Sequence, residues 1–101
     1  MGKCRVEYLP LAVADLDEIF DYVAADNQSA AVSLLNDIDT AILHLQDFPL
    51  IGAIPKNRRL ARQGYHILVA ESYLVFYVIP DDETVEIRRI LNGKREYKFL
   101  L

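Results

Sequence analysis

Arginine, lysine, tyrosine and histidine recur through the second half of this chain in groupings that could handle a phosphate. Arg58, Arg59 and Arg62 come just before Tyr65 and His66. Arg88 and Arg89 are adjacent, and Lys94, Arg95, Tyr97 and Lys98 crowd the C-terminal stretch NGKREYKFLL. Guanidinium groups bind phosphate and neutralise the negative charge that builds up during its transfer. A tyrosine can stack on a base, and a tyrosine or histidine can relay a proton. Together these residue types could cleave RNA without metal. Arg95 and one of Arg88 or Arg89 would then sit at the phosphate, and Tyr97 or His66 would move the proton. Arg58, Arg59, Arg62, Lys94, Arg95 and Lys98 would hold the phosphate backbone or another acidic target. The alternative is that these arginines are surface charges whose stems pack on the fold.

Other chemistries find no support. The chain has neither a GxGxxG nor a GxxxxGK[ST] phosphate loop. One cysteine, Cys4, and two distant histidines, His44 and His66, cannot supply zinc at ligand spacing. Asp37 and Asp39 are two apart on an expected helix, so their carboxylates diverge. The acids of PDDE read as a solvated turn. The expectation is therefore no metal and no cofactor. Cys4 cannot form an internal disulfide and reads as a buried structural thiol, which fits a reducing compartment. No apolar run approaches a membrane span, and MGKCRVEY lacks the apolar core of a signal peptide. These features predict a cytoplasmic protein with no membrane contact.

The net charge of −4 conceals a contrast. Residues 1–54 carry two cations and nine acids, whereas residues 55–101 carry nine cations and six acids. An acidic half is thus joined to a basic half, and only the second could serve an anionic partner.

The elements that must position these residues follow from periodicity. KCRVEYL alternates around Val6 and Tyr8 and predicts a short strand. Pro10 suits the first turn of a helix, where its missing N–H has no intrahelical partner. Leu16, Ile19, Phe20 and Val23 then line one helix face. Asp15, Asp17, Glu18 and Asp21 are expected mainly on other faces, complementing the helix dipole. Asn27 or Ser29 can cap a second helix striped by Leu34, Leu35, Ile38, Ala41, Ile42 and Leu45. A helical hairpin over roughly Pro10–Asp47 results. FPLIGAIPKN, with two prolines and a glycine, reads as an irregular connection. Three strands follow: GYHILVA, the continuously apolar YLVFYVI, which should be covered on both faces, and TVEIRRIL. A period of two would send Arg88 and Arg89 to opposite faces. One would then share a face with Val85, Ile87 and Leu91, the other with Glu86 and Ile90. The helices should cover one face of the sheet and leave a groove on the other. The predicted architecture is a single α+β domain over residues 1–101: an N-terminal strand, a helical hairpin packed on a small twisted, mostly antiparallel sheet, and a short tail. Gly93 permits the bend into that tail, with Phe99 and Leu100 pinning it to the core.

The stretches VEYLPLAVADLDEIFDYVA, AILHLQDFPLIG, YLVFYVIPDDETVEIRRIL and NGKREY, in this order, resemble the RelE/ParE toxin superfamily of bacterial type II toxin–antitoxin modules. The resemblance covers nearly the whole chain. It implies a small growth inhibitor held silent by a cognate antitoxin that wraps it, possible as a heterotetramer. The helical hairpin and the groove beside the sheet are the landing surfaces it suggests. Two activities are implied as alternatives. ParE-like members bind DNA gyrase; RelE-like members cut mRNA on the ribosome without metal. Arg95 in GKR falls where RelE-like toxins keep a phosphate-contacting arginine. Leu74, in YLVFY, replaces their strand arginine, and Tyr65 and Ile67 stand near their lysines. The RelE tyrosine lies further along than Tyr97. The wording is closer to ParE, so a protein target is the first expectation, an endoribonuclease the second, and a non-toxic antitoxin-binding remnant the third.

Overall fold

The computed structural model describes residues 3–94. Strand β1, Arg5–Tyr8, leads into helix α1, Pro10–Ala24, and helix α2, Gln28–Leu43, which a single 3-10 turn over His44–Gln46 extends. After an irregular stretch come the short helix α3, Arg58–Arg62, and strands β2, His66–Ala70, β3, Tyr73–Asp81, and β4, Thr84–Asn92. The sheet order is β1-β4-β3-β2, with β1 parallel to β4 and the other pairs antiparallel. The expected helical hairpin and mostly antiparallel sheet are both present.

Local chemistry explains the element ends. Pro10 opens α1, where its fixed φ is already helical. Asn27 caps α2 by accepting the Ala30 N–H at 3.0 Å. The Asn57 side chain caps α3, accepting from the N–H groups of Arg59 and Leu60. The β2–β3 hairpin turns through Glu71, whose φ of 58° is the left-handed conformation that glycine normally supplies.

Two cores sandwich β3. On the helix side, Ile38, Ile42 and Leu45 pack with Val75, Tyr77, Val85, Ile87 and Ile90. On the opposite side, Phe76, Val78 and Leu91 pack under Leu60 of α3 and Tyr65. Adjacent residues of β3 therefore enter different cores, as the pleat requires. The continuous apolar run of β3 is explained by this double burial. The second face is not the open groove expected from the sequence. Leu60 and Tyr65 close part of it, because five residues of helix place one leucine inward. Cys4 is buried, as expected, with its Sγ–H directed at the Asp82 carbonyl.

Candidate functional site

The strand arginines sit at a break in the ladder. Tyr77 pairs with Ile87, but its neighbour Phe76 pairs with Arg89, leaving Arg88 as an extra residue in β4. This β-bulge resets the alternation. Ile90 therefore joins Val85 and Ile87 in the helix-side core, while Leu91 joins the other. The strict two-residue period, which grouped Leu91 with Val85 and Ile87 and separated Ile90 from them, fails at Arg88. With it fails the expectation that the period assigns Arg88 and Arg89 to opposite faces.

Beyond Ile87, β4 extends past the end of β1, so α1 covers its edge instead. The Leu9 N–H donates to the Ile87 carbonyl at 2.9 Å. Asp15 then takes over as acceptor. Its carboxylate receives the Ile90 N–H at 2.8 Å, Arg89 Nε at 2.8 Å and a terminal Arg89 nitrogen at 2.9 Å. The Asp15 side chain is 7% exposed and that of Arg89 17%. The hydrogen bonds to Asp15, outweighing the opposing effect of burial, hold Arg89 above its ordinary pKa. A two-pronged guanidinium–carboxylate pair at this depth fixes the approach of α1 to the sheet. Asp15 was expected among the surface acids, and the structure corrects that. Its position four before Ile19 and three after Ala12 puts it on the buried helix face, the signal by which spacing could have found it.

Arg88 reaches across the second face. Its guanidinium lies 5.7 Å from the centroid of the Tyr65 ring and donates to Glu86 at 3.2 Å. Partial burial works against its charge, but the hydrogen bonds to Tyr65 and Glu86 prevail and raise its pKa. His66 stacks on Tyr77, with ring centroids 5.2 Å apart. Among the described residues, His66 Nδ1 and Arg88 Nε are buried without a hydrogen-bond partner.

Arg58, Arg59 and Arg62 are exposed on α3, and Lys94 is exposed after β4. Arg95, Tyr97 and Lys98 lie outside the described residues, as do Phe99 and Leu100. The candidates thus separate into a paired strand set, Arg88 and Arg89, and a solvent-facing helical set. The helical set can meet an anionic partner without rearrangement; Arg89 would first have to leave Asp15.

Sequence reasoning also passed over Tyr77. Fully buried in the core, it sends its hydroxyl out to the irregular stretch after α2. The hydroxyl donates to the Pro49 carbonyl at 2.7 Å and accepts the Gly52 N–H at 3.0 Å. A Cβ on Gly52 would meet that oxygen at 2.6 Å, so the close approach requires glycine. Ala53 and Ile67 add a two-way backbone bridge at 2.9 and 2.8 Å. Nothing in the run YLVFYVI distinguishes the tyrosine that carries this clamp.

Among the described residues, no group of three or more His, Cys, Asp or Glu could hold a metal ion, and no helix is long and apolar enough to cross a membrane.

Known proteins match this arrangement. A solved structure described as the chromosomal ParDE TA system from P. aeruginosa superposes with a TM-score of 0.74 at 22% sequence identity. The match covers 91% of this chain and 98% of that one, and it extends to the fold. No curated protein sequence matches the chain. The family model for the ParE toxin of type II toxin–antitoxin system, parDE, matches residues 6–97. That span takes in the helical hairpin, the α1–β4 clamp and the whole of β2, β3 and β4. A match over so much of the sequence, on a fold of the same kind, places the chain in the ParE toxin family of type II toxin–antitoxin systems, within the RelE/ParE superfamily.

Proposed function

We propose that this chain is the toxin of a type II toxin–antitoxin module and stops growth by binding a protein target in the cytoplasm, DNA gyrase being the first candidate, until a cognate antitoxin neutralises it. Membership of the ParE family supports the module. The engagement of Arg89 by Asp15 carries the choice of a protein target over ribosome-bound mRNA. A metal-free nuclease needs unpaired guanidinium groups where charge develops. Here one strand arginine is neutralised by a carboxylate, and Arg88 is tied to Glu86 and Tyr65. Leu74, in the place of the nuclease arginine, instead packs with the second core.

The test is induction in cells lacking the antitoxin, followed by separate readouts. Growth arrest with loss of supercoiling by purified gyrase supports the proposal. Ribosome-position-specific mRNA cuts that disappear in Arg95→Ala would replace it with an endoribonuclease. Unaltered growth at high expression would make the chain a non-toxic antitoxin-binding remnant.

A further inference from the structure

The stretch between α2 and α3 turns large apolar side chains toward solvent. Phe48 is 62% exposed, Leu50 73%, Ile51 60% and Ile54 70%. Single exposed apolar residues are ordinary, but four within seven positions form a patch that marks a docking surface. The backbone here is not a loose loop. Tyr77 holds Pro49 and Gly52 from within the core, and the Ala53–Ile67 bridge ties the stretch to β2. The Tyr77 anchor is buried while the outward residues are apolar, so the surface is held ready with little left to order on binding.

Charge says what covers it. Residues 47–62 hold four cations, Lys56, Arg58, Arg59 and Arg62, against the one acid Asp47, in a chain of net charge −4. Leu60 anchors α3 inward, which leaves Arg58, Arg59 and Arg62 exposed immediately after the apolar patch. An apolar platform followed directly along the chain by a cationic helix complements a polypeptide that carries acids beside large apolar side chains.

We propose that Phe48–Arg62 is a docking surface for the antitoxin, engaged through an acidic segment of that partner bearing large apolar residues. The inference rests on the toxin reading above. A permanently exposed patch of this kind favours aggregation unless covered, and the antitoxin is the partner present in the resting state. A growth target is met only after release.

The experiment uses the full chain and the antitoxin encoded beside it, with affinity measured by calorimetry at two salt concentrations. Two double substitutions are compared with the parent: Leu50→Ser with Ile54→Ser, and Arg58→Glu with Arg62→Glu. All four positions are exposed, and circular dichroism checks that each variant keeps its fold. Val32→Ser, at an exposed site on α2, is the control. The apolar pair is expected to weaken binding by about 10-fold or more. The charge reversal is expected to weaken it about 5-fold or more and to flatten its salt dependence. Parent-like affinity in both variants overturns the inference and leaves the toxin reading standing. Dimerisation of the isolated chain that these changes abolish, with antitoxin affinity unchanged, assigns the patch to a second copy and also overturns it. Failure of the parent to bind the antitoxin removes both readings together.

Discussion

Replacing Asp15 with alanine should cost about 3–5 kcal/mol of stability, the range for removing one partner of a buried ion pair. The geometry sets the expectation. Three hydrogen bonds end on this carboxylate, two from Arg89 and one from the Ile90 N–H. Truncation leaves a guanidinium that is 17% exposed with its counter-charge removed. It also orphans the Ile90 amide, itself worth roughly 1–3 kcal/mol when buried and unpaired. Against a total of about 5–15 kcal/mol for a domain of this size, the variant should be marginal. Its melting temperature should fall by about 12 °C or more. Urea unfolding followed by circular dichroism measures the loss, and a double-mutant cycle apportions it. Arg89→Met in the Asp15→Ala background should restore part of the stability, because the buried cation that lost its carboxylate is gone. Coupling between the two sites should then reach about 1–3 kcal/mol. A loss under about 1 kcal/mol for Asp15→Ala, or strictly additive effects, would refute the account of Asp15 as the clamp on the β4 edge.

Other outcomes follow from the same geometry. Tyr77→Phe leaves the Pro49 carbonyl and Gly52 N–H without their hydroxyl partner and should cost about 1–3 kcal/mol, read by denaturant titration; an unchanged midpoint would show the clamp to be idle. Gly52→Ala sets a Cβ against the Tyr77 hydroxyl and should cost about 1–3 kcal/mol in the same assay, and a neutral result would mean that the loop yields freely. Glu71→Gly relieves a left-handed φ and should leave stability unchanged or raise it by up to about 1 kcal/mol in thermal melts, whereas a clear loss would contradict the strain. Burial raises the pKa of Tyr8, aided by its bond to Asp39, and burial likewise raises that of Tyr77. Both contributions are intact below the unfolded value of about 10 and are lost as pH rises through the higher folded values. Alkaline absorbance titration should show the corresponding late-ionising tyrosines, one of them absent in Tyr8→Phe.

The hairpin and the three later strands were legible because their apolar residues recur at periods set by backbone geometry. Leu16, Ile19, Ile38 and Ile42 needed no knowledge of what they would touch. The failures share a different origin. Spacing sets Asp15 on the buried stripe, apart from Asp17 and Asp21, but its partner is 74 residues away, so nothing local shows what it binds. The bulge at Arg88 has no local signature, since the sequence is an unbroken TVEIRRIL. Helix α3 is too short for periodicity, although Asn57 is a recognisable cap ahead of it. The candidate cations were visible as types, but which of them were already paired depended on contacts that only the fold creates.

The parallel pairing of β1 with β4 has a consequence for how the molecule is made. Arg5 registers with Thr84, so the first strand waits for the fourth. Closing a chain segment of 79 residues carries a length-dependent entropy cost of about 4 kcal/mol, repaid only when β4 arrives. During synthesis the hairpin of α1 and α2 emerges before the strand that α1 packs on, with Asp15 still lacking both Arg89 and the Ile90 amide. Deletion of residues 84–101 should therefore abolish cooperative unfolding altogether, not merely lower the midpoint. The topology makes this a fold that closes only once β4 has been made, long after the helices it holds.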